Sequence, residues 1–223
     1  MGGRLAALLT GMALLAGCSE AAPASHSAGT EYQVAVIGDS FTTGSEVGGV
    51  GPSGWPALVK KDLDNQNLHL DIRSAAEASA GYAAIGTYGG VFGDQVSAVV
   101  GVTTDLVVFF GSTNDGVARP DELRAAARDD FARAKAYAPG AKLLVIGPTW
   151  PTPDPPPEMV QVRDILRDQA LTAGAVFVDP LAEHWIANAP QLIGADGVHP
   201  TDDGHKYLAQ RIAPIIANTL THG

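Results

Sequence analysis

Two short stretches far apart in the chain hold the residue types of a nucleophile and its base. Gly38-Asp39-Ser40 follows an apolar run and offers a serine hydroxyl, and Asp196-Gly197-Val198-His199-Pro200 offers a histidine with a carboxylate three residues before it. A serine hydroxyl attacks well only when a base removes its proton, and a histidine oriented by a carboxylate does this near neutral pH. The two stretches together predict a hydrolytic site of Ser40, His199 and Asp196. Either stretch alone could be only a turn or the start of a helix.

Strands and helices between these stretches must bring them together. Five short apolar runs read as strands of a parallel sheet that is buried on both faces. They are residues 33–37, 68–73, 105–110, 142–146 and 175–178. Four stretches with helical spacing predict helices at residues 55–65, 122–138, 158–173 and 202–220. Asp121 is the predicted N-cap of the second helix, and Thr201 that of the last.

Ligands bind such sheets beyond the carboxyl ends of the strands. Ser40 and Asn114 follow the first and third predicted strands, and His199 lies on the loop before the last helix. The polar residues are therefore expected at one edge of the sheet. Trp150, which follows the fourth strand, could border a pocket at this edge or could be ordinary packing, and the same holds for Trp55 and Tyr82.

Three blocks, taken in this order along the chain, resemble the SGNH (GDSL) hydrolase family. They are Gly38-Asp39-Ser40, Asn114-Asp115 and the stretch from Asp196 to Pro200, and the likeness spans about residues 32–220. The resemblance implies an α/β fold, a three-layer α/β/α sandwich around a flavodoxin-like parallel five-stranded sheet of order 2-1-3-4-5. It also implies hydrolysis of a carboxylic ester through an acyl-enzyme. By position it assigns Ser40 as nucleophile, His199 as base and Asp196 as the acid that orients His199.

The same resemblance implies an oxyanion hole formed by the backbone N–H of Ser40, a glycine N–H and the side-chain amide of Asn114. The chain departs from the family in two places. Ser112 stands where the family usually has glycine, and the segment after the second strand, Ser74 to Tyr82, does not show the usual Asn followed by a Gly donor in a clear position. Gly81 is the only glycine there and is the predicted donor, although the N–H of Ser79 could serve instead. Asp39 and Asp115 are expected to hold loops through backbone hydrogen bonds.

Composition limits the other functions that the chain could have. The net charge is −10 and no basic run is present, which argues against a nucleic-acid partner. No Cys/His cluster, HExxH motif or dinucleotide-binding glycine pattern occurs, so neither a metal nor another cofactor is expected. The length of 223 residues fits one domain, predicted at residues 31–223. The oligomeric state is left open.

The N-terminus is typical of an exported protein. Arg4 precedes an apolar stretch that ends in Leu15-Ala16-Gly17-Cys18, which resembles the lipobox of bacterial lipoproteins. We expect residues 1–18 to form a signal peptide with a lipobox ending at Cys18, and residues 19–30 to be a flexible tether. The expected location is the cell membrane, through a lipid on Cys18, or the extracellular space. An ordinary signal peptide that happens to contain a cysteine is the alternative.

The expected function is a serine esterase whose ester substrate is a lipid, an acetylated glycan or a small ester. The catalytic residues do not distinguish these substrates, because the pocket and not the fold determines the substrate. An acyltransferase would use the same residues. A non-catalytic envelope lipoprotein that binds glycan or lipid is the alternative from a different class.

Overall fold

The computed structural model describes residues 31–187 and 189–222, which form a parallel sheet between two layers of helices. The strands are β1 (Tyr32–Gly38), β2 (Leu70–Ala76), β3 (Leu106–Phe110), β4 (Lys142–Ile146) and β5 (Val176–Val178). The helices are α1 (Ser40–Thr43), α2 (Trp55–Asp64), α3 (Phe92–Val99), α4 (Pro120–Tyr137), α5 (Pro157–Thr172) and α6 (Asp202–His222). Short 3-10 turns lie at Gly51–Ser53, Thr113–Val117 and Pro190–Leu192.

The strand order is β2-β1-β3-β4-β5 with every neighbouring pair parallel, which confirms the predicted sheet. Alternate residues of each strand face opposite layers, as the strand period of two requires. In β1, Val34 belongs to the core beneath α2 and α6, whereas Ala35 belongs to the core beneath α3, α4 and α5. Both faces of β1, β3 and β4 are buried, which explains why these strands read as continuous apolar runs.

Local sequence sets the helix ends close to the predicted positions. The Thr201 hydroxyl accepts a hydrogen bond from Gly204 N–H at 3.1 Å, so the predicted cap of α6 is confirmed. The prediction of Asp121 as a cap is wrong, because α4 begins one residue earlier at Pro120 and its N-cap position is Arg119. Proline is favoured at the first helical position because it lacks the N–H that a helix leaves unpaired there. Asp121 instead pairs with Arg119.

A buried histidine joins α6 to the start of α2. His205 Nδ1 lies 3.3 Å from Trp55 N–H and accepts its hydrogen bond. Burial lowers the pKa of His205 to about 4, so its ring is neutral at neutral pH. A side chain at Gly49 would collide with this ring, since a Cβ there would lie 1.9 Å from His205 Nε2. The loop before α2 is therefore held tightly against the last helix.

No helix within residues 31–187 and 189–222 is both long and apolar enough to span a lipid bilayer. The sequence patterns predicted no helix at α3, whose residues follow the glycine-rich loop after β2. The predicted signal peptide, tether and Cys18 lie outside the described residues.

Candidate active site

Ser40 is placed by the sharp turn between β1 and α1. Asp39 is the N-cap of α1, and its Oδ1 accepts a hydrogen bond from Phe41 N–H at 2.9 Å. Gly38 must be small, because a Cβ there would lie 2.2 Å from Thr42 Oγ1. Ser40 is thus the first residue of α1 and lies at the carboxyl end of the sheet, as the sequence predicted.

Asp196 and His199 lie on the loop between the Pro190–Leu192 turn and α6. Asp196 Oδ1 accepts hydrogen bonds from Val198 N–H at 2.9 Å and His199 N–H at 3.0 Å. Asp196 Oδ2 lies 2.7 Å from His199 Nδ1, and His199 Nε2 lies 3.1 Å from Ser40 Oγ. The structure therefore brings the three predicted residues into one continuous chain of hydrogen bonds.

Local hydrogen bonds also set the charge of Asp196 and thereby the position of the proton on His199. The N–H of Val198, followed by the side chain and the N–H of His199, holds the pKa of Asp196 at about 2. Ionised Asp196 can only accept, so the proton between the two side chains belongs to His199 Nδ1. In the neutral ring, Nε2 is then the acceptor that faces Ser40. This is the arrangement of a base that takes a proton from a serine hydroxyl.

A second group of polar residues lies around Asp39, the residue before Ser40. The carboxylate of Asp39 is buried, and its Oδ2 lies 3.3 Å from both Ser112 N–H and Asn114 Nδ2. Asn114 Nδ2 also donates to Ala80 O at 2.9 Å. One N–H of the Asn114 amide is thus fixed by Ala80, while the other makes only a long contact. Burial raises the pKa of Asp39 to about 6.

The structure corrects the prediction for Gly81 as an oxyanion donor. Its N–H donates to Ala84 O at 2.9 Å and is not free to meet an oxyanion. A side chain at Gly81 would also collide with Asp115, since a Cβ would lie 2.5 Å from Asp115 Oδ2. Only glycine therefore fits at position 81 without displacing Asp115. Neither Ser40 N–H nor Ser79 N–H makes a hydrogen bond to another described residue, and Ser79 has a left-handed φ of 66°.

Asp115 holds the segment that carries Gly81. Its two oxygens accept hydrogen bonds from the N–H groups of Tyr82, Ala83 and Ala84 at 2.8–2.9 Å. Ser112, the residue that replaces the usual glycine, donates its hydroxyl to Asp115 Oδ2 at 2.8 Å while its φ is 93°. The expectation that Asp115 holds a loop is confirmed. Nothing in the sequence indicates which loop Asp115 holds, or that the hydroxyl of Ser112 binds it.

An apolar pocket of about 170 Å³ adjoins the candidate catalytic residues. Phe41 follows Ser40, Val198 precedes His199, and Trp150 on the loop after β4 supplies another wall. Trp150 thus borders a pocket. This was one of the two interpretations that the sequence left open, the other being ordinary packing. Trp55 and Tyr82 are core residues instead, with 0% and 3% of their surfaces exposed. Within the described residues, no group of three or more His, Cys, Asp or Glu side chains could hold a metal ion.

Comparisons with known proteins show what the chain as a whole is similar to. Residues 36–207 match the model of the GDSL-like lipase/acylhydrolase family. A GDSL lipase of Mycobacterium tuberculosis is 50% identical over 190 residues, which are 84% of this chain and 82% of that protein. The crystal structure of TesA matches with a TM-score of 0.70 at 21% identity, over 84% of this chain and 99% of that one. The psychrotrophic esterase EstA from Pseudoalteromonas gives 0.69 at 14% identity, over 86% and 100% of the two chains.

Proposed function

Since the chain belongs to the GDSL-like lipase/acylhydrolase family and is a carboxylic ester hydrolase, we propose that it hydrolyses its ester through an acyl-enzyme on Ser40. The observation that carries this proposal is the hydrogen-bonded chain from Asp196 through His199 to Ser40. In the first step His199 Nε2 takes the Ser40 proton while Oγ attacks the ester carbonyl carbon. The tetrahedral intermediate then expels the alcohol oxygen, which takes that proton from His199.

The second step releases the acid. Water attacks the acyl-enzyme carbonyl carbon while His199 Nε2 takes a proton from it. The tetrahedral intermediate then expels Ser40 Oγ, which takes that proton from His199, and the carboxylic acid leaves. Asp196 stays ionised throughout, because its pKa is about 2, and its charge stabilises the imidazolium that forms in both steps.

Three donors face the developing oxyanion in this proposal, namely the N–H of Ser40, the N–H of Ser79 and the amide of Asn114. Ser79 replaces Gly81 because its N–H has no partner among the described residues, whereas that of Gly81 is paired with Ala84. A phosphonate bound covalently to Ser40 would mimic the tetrahedral intermediate. In its crystal structure we expect the phosphoryl oxygen about 3 Å from Ser79 N. The same distance to Gly81 N would exclude this choice.

Ser40→Ala and His199→Ala test the proposed mechanism. Each should lower kcat for p-nitrophenyl butyrate by roughly 10⁴- to 10⁶-fold, because nucleophile and base act as a unit. His69→Ala is the matched control, since His69 is also paired with an aspartate, Asp64, but lies at the start of β2. It should leave kcat unchanged. Retention of more than about a hundredth of wild-type kcat in Ser40→Ala would exclude the acyl-enzyme.

We also propose that the protein is exported and anchored to the membrane by a lipid on Cys18. The support is the sequence Leu15-Ala16-Gly17-Cys18 after an apolar stretch. A diacylated N-terminus binds membranes stably, whereas a single chain binds only marginally. Cys18→Ala should therefore move the protein out of the membrane fraction while its esterase activity is kept. Unchanged partitioning, or a mature N-terminus other than Cys18, would contradict this proposal.

A further inference from the structure

We propose that the apolar pocket beside Ser40 receives the acyl group and selects aliphatic acyl chains of about four to six carbons or longer over acetyl groups. This inference rests on the proposed acyl-enzyme mechanism and assigns its substrate class. The pocket measures about 170 Å³. Protein cavities of about 150 Å³ with apolar walls bind benzene, a molecule of six carbons. A pocket of this size is left mostly empty by an acetyl group.

The chemistry of the walls favours a hydrocarbon. Apolar side chains form most of the lining, and they are Phe41, Trp150, Pro151, Ile186 and Val198. The polar side chains that line it are the hydroxyls of Thr113 and Thr149, and no charged residue does so. Sugar hydroxyls in this pocket would lose their hydrogen bonds to water and find few replacements, which disfavours their binding. An alkyl chain makes no hydrogen bonds to water and therefore loses none when it enters the pocket.

The position of the pocket favours the acyl group over the alcohol. The acyl group stays on Ser40 through both steps, whereas the alcohol must leave and water must then reach His199 Nε2. The His199 side chain is 28% exposed, which leaves it open to that water. A partly enclosed apolar pocket suits the group that remains, since it keeps the acyl chain out of the path by which alcohol and water exchange.

Trp150 is the residue that should set the selectivity. It has the largest side chain in the lining and comes from the loop after β4, separate from the residues proposed for catalysis. Its half-buried ring packs against the core beneath α3, α4 and α5, which holds it in place as a wall. Truncation of this ring would widen the pocket and leave Ser40, His199 and Asp196 intact.

The experiment is a series of p-nitrophenyl esters from acetyl to octanoyl, measured with the purified full-length protein. Each methylene that enters an apolar pocket should raise kcat/KM about fourfold. We therefore expect a rise of about 10²-fold from acetyl to hexanoyl and a smaller change beyond. Trp150→Ala should lower the hexanoyl-to-acetyl ratio at least about tenfold, and Trp150→Phe should lower it less. Tyr88→Ala, at an aromatic residue 91% exposed and outside the pocket, should leave the ratio unchanged.

Three results would overturn the inference while leaving the proposed mechanism intact. The first is a flat acyl series with activity that still depends on Ser40. The second is a series of alkyl butyrates in which the length of the alcohol, and not that of the acid, controls kcat/KM. The third is an unchanged ratio in both Trp150 variants. Activity that survives Ser40→Ala would instead overturn the mechanism itself.

Discussion

Two regions of the site each depend on one carboxylate. One is the loop that Asp196 organises, and the other is the buried network around Asp115. The two carboxylates differ in how far along the chain their partners lie. Asp196 is bound by groups two and three residues away, and its side chain is 38% exposed. Asp115 is 1% exposed and binds backbone groups 31 to 33 residues away.

This difference predicts which half of the site, the Asp196 loop or the Asp115 network, can be substituted without loss of the fold. Asp196 organises a short exposed loop that can lose a contact to water at little cost. Asp115 joins the segment after β2 to the segment after β3, and water cannot replace its contacts in the folded state. Substitutions at Asp196 should therefore act on chemistry, whereas substitutions at Asp115 should act on stability as well.

Among the substitutions that compare these two regions, Asp196→Asn should give the largest effect on turnover. The amide keeps the shape but donates to His199 Nδ1, so the ring places its proton on Nε2 and cannot accept from Ser40. Loss of the equivalent carboxylate in serine proteases lowers kcat by about 10⁴-fold. We expect a loss of that order here, with the free energy of unfolding at pH 7 changed by less than about 1 kcal/mol. A large loss of stability in urea unfolding would contradict the local character of this loop.

Asn114→Ala should have the next largest effect. Removal of one oxyanion donor typically costs roughly 10²- to 10³-fold in kcat. Because the amide is proposed to meet charge that appears only in the tetrahedral intermediate, KM should change much less than kcat. Steady-state kinetics with p-nitrophenyl butyrate would separate the two parameters. An increase in KM with normal kcat would mean that Asn114 binds the ground state instead.

Asp115→Asn makes the same chemical change as Asp196→Asn in the buried network. One oxygen becomes an NH₂ group that faces a backbone N–H, so at least one buried donor loses its acceptor. We expect a loss of about 2–3 kcal/mol in the free energy of unfolding, measured in urea at pH 7. A variant as stable as the wild type would show that the segment after β2 adjusts freely, and the contrast between the two halves would then be lost.

The sequence predicted the local half of the site better than the long-range half. Asp196 and His199 lie three residues apart and close their contacts within one loop, so their pattern is visible in the chain. The apolar runs of the sheet are visible for the same reason. Gly81 was predicted over Ser79 because it is the only glycine in the segment where the family has a glycine donor. In the structure it is Ser79 that has the left-handed φ.

The distant contacts left little trace in the sequence. Nothing in the composition of residues 82–84 shows that their N–H groups meet Asp115, because backbone donors are the same in every residue except proline. Trp55 and Tyr82 could not be separated from pocket residues for a similar reason, since an aromatic residue looks the same in sequence under a loop or at a pocket rim.

The smallest expected effect concerns pH and again separates a buried carboxylate from an exposed one. Burial raises the pKa of Asp39 from 3.8 to about 6, so between these values the folded protein holds a proton more tightly than the unfolded chain does. As the pH falls from 8 to 5, this group should therefore stabilise the folded state by about 1 kcal/mol. Asp39→Asn cannot titrate, so the wild type should gain that amount relative to this variant at pH 5.

Urea unfolding of the two proteins at pH 5, 6, 7 and 8 would measure this difference, and other titrating groups cancel in the comparison. Asp121→Asn is the control, because Asp121 is exposed and its hydrogen bond from Arg119 lowers its pKa below 3.8, so its ionisation does not change over this range. Its stability relative to the wild type should be constant from pH 5 to 8. A constant difference for Asp39→Asn as well would mean that the hydrogen bonds from Phe41 and Ser112 offset the effect of burial on the pKa of Asp39, and would contradict this prediction.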